Sequence, residues 1–399
     1  MDLEHIVTLF AGAALVFIFA ALYRAVCFRR TGRDLTDFQL FLFGTGAVYF
    51  CIVIWELLKF FLDYYIPGST RQGFQKTAAD FTLFYKLFGT GLAGEPQIPL
   101  LNTDLNFVCG MVGGALGGAA FLLVMRYKNK KKNRPERGLF YGYTFPKKTF
   151  KAYIRDEFAA FRAEVPWWEY ATWWIVRGLL VYGIVTIWPK DGFTYNVLQM
   201  FTNLGVSLVI PLIRFLFFGK LYLGKISYHV QSIINIFVVA GTFFGHVVGF
   251  TWDIPSYDKF LHFLSGGIAV FIGYILITGA RNREAVSRGA YVAASSGFSC
   301  VVIILWEVFE FIADYSLPDC CNQDYTFNPP EDLFFFRLFG RGAMNPGQNA
   351  VLDTDIDIIL AVAGIIVCAA ILWAVLYVKD KKAAKQAATE KVGAELIND

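Results

Sequence analysis

Three acid–acid or acid–histidine pairs fall at helical spacing in the carboxy-terminal half of the chain. Asp258 and His262 are four apart, Glu307 and Glu310 three apart, and Asp353 and Asp357 four apart. Residues three or four apart share a helix face. Asp314 extends the Glu307/Glu310 stripe by a turn, whereas Asp355, between Asp353 and Asp357, points to another face. His246 is an eighth candidate for the same site. Carboxylates with an imidazole suit a divalent cation, for which Glu307, Glu310, His262 and Asp357 are the candidate ligands. They equally suit a relay of protons or cations, or an acid/base pair in which crowded carboxylates hold protons and His262 shuttles one. The residues alone do not choose among the three. No Ser/His/Asp hydrolase pattern and no GxSxG, Walker or HExxH motif accompanies them, and lack of an ATP-binding loop argues against a primary pump.

These side chains sit in long apolar segments. The chain has 399 residues, 56% hydrophobic, 18% aromatic and only 17% charged, with a mean hydropathy of +0.49. Soluble domains carry about 25% charged residues. Uncharged runs such as 11–22, 226–248 and 358–378 have the character of bilayer spans. The expected fold is an all-α polytopic bundle of about nine spans: 5–27, 38–65, 104–126, 171–188, 194–218, 228–251, 258–279, 290–316 and 355–378. Glu307 then lies about nine positions inside its span, roughly 14 Å at 1.5 Å per residue. A carboxylate at that depth is a functional hypothesis by default; the plainer reading is a Glu bonded locally for packing.

Net charge is +4, and the basic residues cluster at 24–33, 126–151, 220–225, 281–288 and 379–385. These are alternate connections, so the positive-inside rule puts the amino terminus outside and the carboxy terminus in the cytoplasm, with the acidic pairs toward the outer leaflet. The ten Lys/Arg residues from Arg126 to Lys151 read as a cytoplasmic loop, and no nucleic-acid partner is expected. An amphipathic helix is expected within 148–174, packed under the bundle or sensing lipid. The aromatic stretches 81–89 and 333–340, in the long loops 66–103 and 317–353, read as short interfacial or re-entrant helices. Seven cysteines show no metal or redox spacing, and whether the neighbours Cys320 and Cys321 pair is left open.

An internal repeat organises the chain. Residues 55–106 align without a gap onto 306–357 at a constant offset of 251, with 16 of 52 positions identical, among them Trp55/Trp306, Glu56/Glu307, Asp63/Asp314 and Asp104/Asp355. The first span joins if His5 is set against His262. Spans one to three therefore repeat as spans seven to nine in the same orientation. The expected units are 1–128, the first repeat; 129–170, the basic loop and amphipathic helix; 171–380, six spans containing the second repeat; and 381–399, a charged tail. In the first repeat Lys59, Asn102 and Asn106 replace Glu310, Asp353 and Asp357, and Lys59 can neutralise Glu56 or Asp63. The full acidic set survives only in the second.

The ordered motifs Asp258-Lys-Phe-Leu-His262-Phe-Leu-Ser-Gly266, Trp306-Glu-Val-Phe-Glu310 and Asp353-Thr-Asp355-Ile-Asp357 resemble the YjdF-type bacterial membrane proteins, a domain of unknown function, and are distantly similar to the VanZ-like proteins. The resemblance covers about 170–380. It implies a six-span domain in the bacterial cytoplasmic membrane and supplies no reaction. Three functions stay open: an outward-facing pocket for a cation or a cationic or lipid-linked ligand, with transport as its use; a metal-assisted hydrolase or transferase acting on envelope lipids; and a scaffold whose acids only lock helices together.

Overall fold

The computed structural model describes residues 3–31, 35–77, 81, 97–131, 149–217, 226–254, 256–280, 286–317, 320, 322–323, 345 and 347–398. The bulk of the aromatic stretches 81–89 and 333–340, the loop 132–148 and Cys321 lie outside these residues. The described residues are helical, with no strand among them. The helices are α1 (Leu3–Thr31), α2 (Asp37–Tyr65), α3 (Ile98–Lys131), α4 (Phe150–Glu164), α5 (Trp167–Asp191), α6 (Tyr195–Val206), α7 (Val209–Phe217), α8 (His229–Val238), α9 (Phe250–Asp253), α10 (Tyr257–Ala280), α11 (Arg288–Ser316) and α12 (Asn349–Asn398).

Among the described residues eight helices are long and apolar enough to cross a bilayer, and α6 with α7, bent by 46°, passes the same test as a pair, giving nine if the pair is one span. Large apolar side chains on their outer faces, such as Ile18, Val185, Ile236 and Ile366, are about half exposed or more. Water would not tolerate such continuous apolar faces on a monomer, whereas hydrocarbon does. The chain is thus a multi-pass membrane protein. The sixth crossing is irregular: α8 continues as a π-helical stretch, Val239–Val247, that ends at Gly249 with φ of +94°.

The repeat extends well beyond the segment in which the residues still match. Thr36 and Ser287, 251 apart, both cap their helices, accepting from the backbone amides of Gln39 and Ala290. Asp37 accepts from Asn129, and at the same repeat positions Arg288 pairs with Asp380. α1 packs along α3 as α10 packs along α12, and α2 meets α11 at the junction between repeats. That junction is centred on Gly46 and Gly297, again 251 apart. A Cβ on Gly46 would lie 2.2 Å from the Ala293 carbonyl oxygen, and one on Gly297 would lie 2.4 Å from Gly46 Cα.

The first span needs a correction. A Cβ on Gly113 would meet the Leu9 carbonyl at 2.1 Å, and one on Gly364 would meet the Phe263 carbonyl at 2.0 Å. Gly12 and Gly266 likewise face Gly110 and Ala361. The helices therefore superpose at an offset of 254, with Glu4 opposite Asp258, rather than at the 257 that setting His5 against His262 requires. Backbone proximity, which selects small residues, fixes the register one turn away from the histidine match.

The amphipathic helix is shorter than expected, 15 residues, and is docked on the helices behind it. Phe161 packs on Trp173 and Tyr228. Arg214 of α7 donates to Glu157 at 2.5 Å with its guanidinium 4.0 Å over the Tyr228 ring, and Tyr153 donates to the Arg214 carbonyl. The helix is thus packed against the bundle, with Phe158 and Trp167 projecting outward.

Candidate functional site

Both repeats gather polar residues at one end of the bundle, opposite the ends of α1, α3 and α12 that carry the basic residues. In the first repeat the charges cancel. Lys59 Nζ lies 2.6 Å from Glu56 and 2.9 Å from Glu4. Lys76 reaches Glu4 at 3.2 Å and Asn102 at 2.6 Å, and Asn106 donates to Glu4 at 3.0 Å. Two carboxylates face two ammonium groups and two amides. Lys59 does neutralise Glu56, as its spacing suggests, but not Asp63.

The second repeat brings together Asp258 and His262 from α10, Glu307 and Glu310 from α11, and Asp353 and Asp357 from α12. Lys259 enters among them. Its Nζ contacts Asp353 and lies 2.9 Å from Asp357 and 3.4 Å from Asp258. His262 stands in the middle, with Nε2 3.7 Å from both Asp258 and Asp357 and Nδ1 3.7 Å from Glu307. Glu310 is buried within electrostatic range of Asp258 and Asp357. Asp258 is the mouth, its side chain 45% exposed, whereas Glu307 at the base is fully buried. Neither Glu307 carboxylate oxygen has a hydrogen-bond partner among the described residues.

Five carboxylates against one ammonium leave four negative charges uncompensated when all are ionised and His262 is neutral. Such an excess cannot persist in a buried chamber, so protons or cations must make it up. Asp258, His262 and Asp357 each offer an atom within 4.8 Å of the others. Ligands of a tetrahedral ion at about 2.1 Å are roughly 3.4 Å apart; the two spacings from His262 are 3.7 Å, and Asp258 and Asp357 lie within 4.8 Å of each other. This differs from the expected ligand set. Glu307 faces the other imidazole nitrogen, Nδ1, which is where a carboxylate orients a metal-binding histidine rather than binding the ion itself. Glu310 also lies outside the group of three.

Residues 170–377 match the model of a family described as a predicted membrane protein, DUF2238. The chain belongs to that family. The DUF2238 match takes in α5 to α12 and with them every residue of the acidic chamber; the first repeat lies outside it. Among curated proteins and among solved structures, nothing matches the chain.

Two expected members of this DUF2238 site, and one residue expected to lie apart from it, need comment. Asp314, on the same stripe as Glu307 and Glu310, turns to the loop beyond α11, where it accepts from the amides of Asn322 at 2.8 Å and Gln323 at 2.9 Å and from Cys320. Asp63 does the same in the first repeat with Arg71, Gln72 and Ser69. Both therefore hold outgoing loops. Removing two amide partners at once should cost roughly 2 kcal/mol or more, so Asp314→Ala is expected to lower the thermal midpoint in detergent while leaving ion binding in place. His246 sits half-buried in the π-helical stretch with its ring 5.8 Å from that of Tyr195, in electrostatic range of Asp258 but outside the group of three. Asp355 faces away, as its position predicts, and accepts from Gln72 of the first repeat at 2.6 Å.

Lys259 was missed. It lies on none of the acidic stripes, and it enters the chamber because its long side chain bends from the first turn of α10 toward α12. The available signal was a lysine beside Asp258 at the head of an otherwise apolar span.

Proposed function

We propose that the second-repeat chamber binds a cation from the outer face of the bacterial cytoplasmic membrane, in exchange with Lys259 and with protons, as the binding step of a transporter. The supporting observation is the contrast between repeats: at equivalent positions the same three-helix frame holds a balanced charge set in one copy and an excess of four negative charges in the other. Placement on the outer face rests on the basic ends of the spans, and the YjdF-type resemblance of the motifs supports the bacterial setting. Glu307, buried and without a hydrogen-bond partner, is the member that a local packing role accounts for least well.

The direct test is titration of the purified full chain, stripped with chelator, with Mn²⁺, Zn²⁺ and Na⁺. One saturable site per chain is the expected result, and no binding of any of the three sinks the proposal. Lys259→Met sharpens it. An ammonium about 4 Å from an incoming ion repels it by about 4 kcal/mol at an effective dielectric of about 20. The variant should therefore bind the cation at least about 10-fold more tightly. Weaker cation binding in Lys259→Met would mean that the ammonium does not compete with the ion, which overturns the proposed exchange.

One observation favours an enzyme as the second reading. Asp258, His262 and Asp357 supply three protein ligands, which leaves a fourth position for water or a substrate oxygen, the pattern of a catalytic rather than a structural metal site. Metal-dependent release of phosphate from an envelope lipid by the purified chain would decide for it.

A further inference from the structure

At the opposite, basic end of the first repeat, a cleft of about 580 Å³ opens between α1, α2 and α3. Buried Leu40 and Phe121 form its floor, and Ala20 and Ala21 give it width. Arg24 and Lys128, both exposed, stand at its basic end. The wall contributed by α1 runs from Phe17 to Phe28, roughly 16 Å at 1.5 Å per residue, about half of a ~30 Å hydrocarbon core. That is the depth of one leaflet.

The second repeat closes the equivalent place with its own side chains. At the offset of 254, Tyr274 stands where Ala20 stands, and Lys379, the counterpart of Lys128, lies 5.9 Å over the Tyr274 ring. Arg288 stacks 5.2 Å over Trp373 and 5.0 Å over Tyr377 beside it. At this place one copy sets an aromatic ring, Tyr274, under Lys379, and the other leaves an apolar trough beside two cations.

We propose that this first-repeat cleft is a binding site for one anionic phospholipid, an acyl chain lying against Ala20, Ala21 and Phe121 and the phosphate held between Arg24 and Lys128. Within the hydrocarbon region a trough this narrow is filled by lipid chain, and the paired cations select a negatively charged headgroup at that depth.

The test uses the purified full chain in detergent, titrated with phosphatidylglycerol and, separately, with phosphatidylcholine of the same chains, with bound lipid counted by native mass spectrometry. One phosphatidylglycerol per chain is expected to be retained in preference to phosphatidylcholine. Arg24→Gln with Lys128→Gln should lower phosphatidylglycerol retention at least 10-fold and leave phosphatidylcholine unchanged. Ala20→Tyr, which copies the second repeat's solution, should remove the retained lipid while the protein stays folded by its thermal midpoint. Equal retention of both lipids, or phosphatidylglycerol retention unaffected by either variant, overturns the proposal. So does a change of oligomeric state in Ala20→Tyr, which would make the cleft an interface between copies of the chain.

Discussion

Changing Glu307 and Glu310 together to Gln is expected to weaken cation binding by the purified chain by at least 100-fold, with no loss of thermal stability. Glu307 lies 3.7 Å from His262 Nδ1, across the ring from the ion position, and Glu310 is within electrostatic range of Asp258 and Asp357; a charge at about 7 Å contributes about 2.4 kcal/mol at an effective dielectric near 20. The two carboxylates together, about 5 kcal/mol, exceed the roughly 2.7 kcal/mol that corresponds to a 100-fold change. Glu307→Gln alone should cost about 10- to 100-fold, the usual effect of removing the carboxylate that orients a metal-binding imidazole. The stability readout separates function from scaffolding. Neutralising Glu307, a buried acid with no hydrogen-bond partner among the described residues, removes a desolvation cost, so the melting temperature should hold or rise. If it falls while binding survives, the acids are helix locks and the cation site is ruled out. Glu56→Gln supplies the opposite control. It strips Lys59 of its 2.6 Å partner, so stability should drop while binding in the second repeat is kept.

The largest structural effect is expected at the junction of the repeats. Gly46→Val or Gly297→Val places a branched side chain where even a Cβ would sit 2.2 Å from the Ala293 carbonyl oxygen or 2.4 Å from Gly46 Cα. Those obstacles are backbone, so no rotamer relieves them and α2 and α11 must separate. Overpacking of this kind costs about 3 kcal/mol or more when the backbone has to move. The cross-repeat hydrogen bonds go with it: Gln72 to Asp355 at 2.6 Å, Gln348 to the Phe60 carbonyl at 3.2 Å, and Asn345 to the Asp63 carbonyl at 2.6 Å. Thermal unfolding in detergent should show the loss. Gly178→Ala, with nothing within 4 Å of the added carbon, should show none. Equal midpoints for both variants would mean that the repeats are not clamped at this point.

The span pattern and the repeat were readable from residues because both depend on type and spacing, the two properties that a bilayer and a gene duplication leave in a sequence. All nine expected crossings have a counterpart among the helices, with α6 and α7 sharing one. The convergence of Asp258, His262, Glu307, Glu310, Asp353 and Asp357 at one end followed from shared helix faces. What could not be read was any choice made in three dimensions. Asp314 has the same spacing as its neighbours but lies one turn nearer the helix end, where loop amides are available, and those amides took it. Lys259 is off every stripe, yet a four-carbon stem carries its charge across to α12. The register of α1 against α10 was set by close backbone contact at Gly12 and Gly266 rather than by the more conspicuous histidines.

The two aspartates that grip Lys259 sit within the first three turns of α12, a helix that runs unbroken for 50 residues to Asn398. At 1.5 Å per residue that is about 75 Å, more than twice a ~30 Å hydrocarbon core. Such a rod is stiff along its length, because α-helices bend only gently unless a proline, glycine pair or inserted water interrupts them. A torque or pull on its charged far end is therefore delivered, nearly undamped, to Asp353 and Asp357. The chain has a shaft from one face of the membrane to the carboxylates near the other.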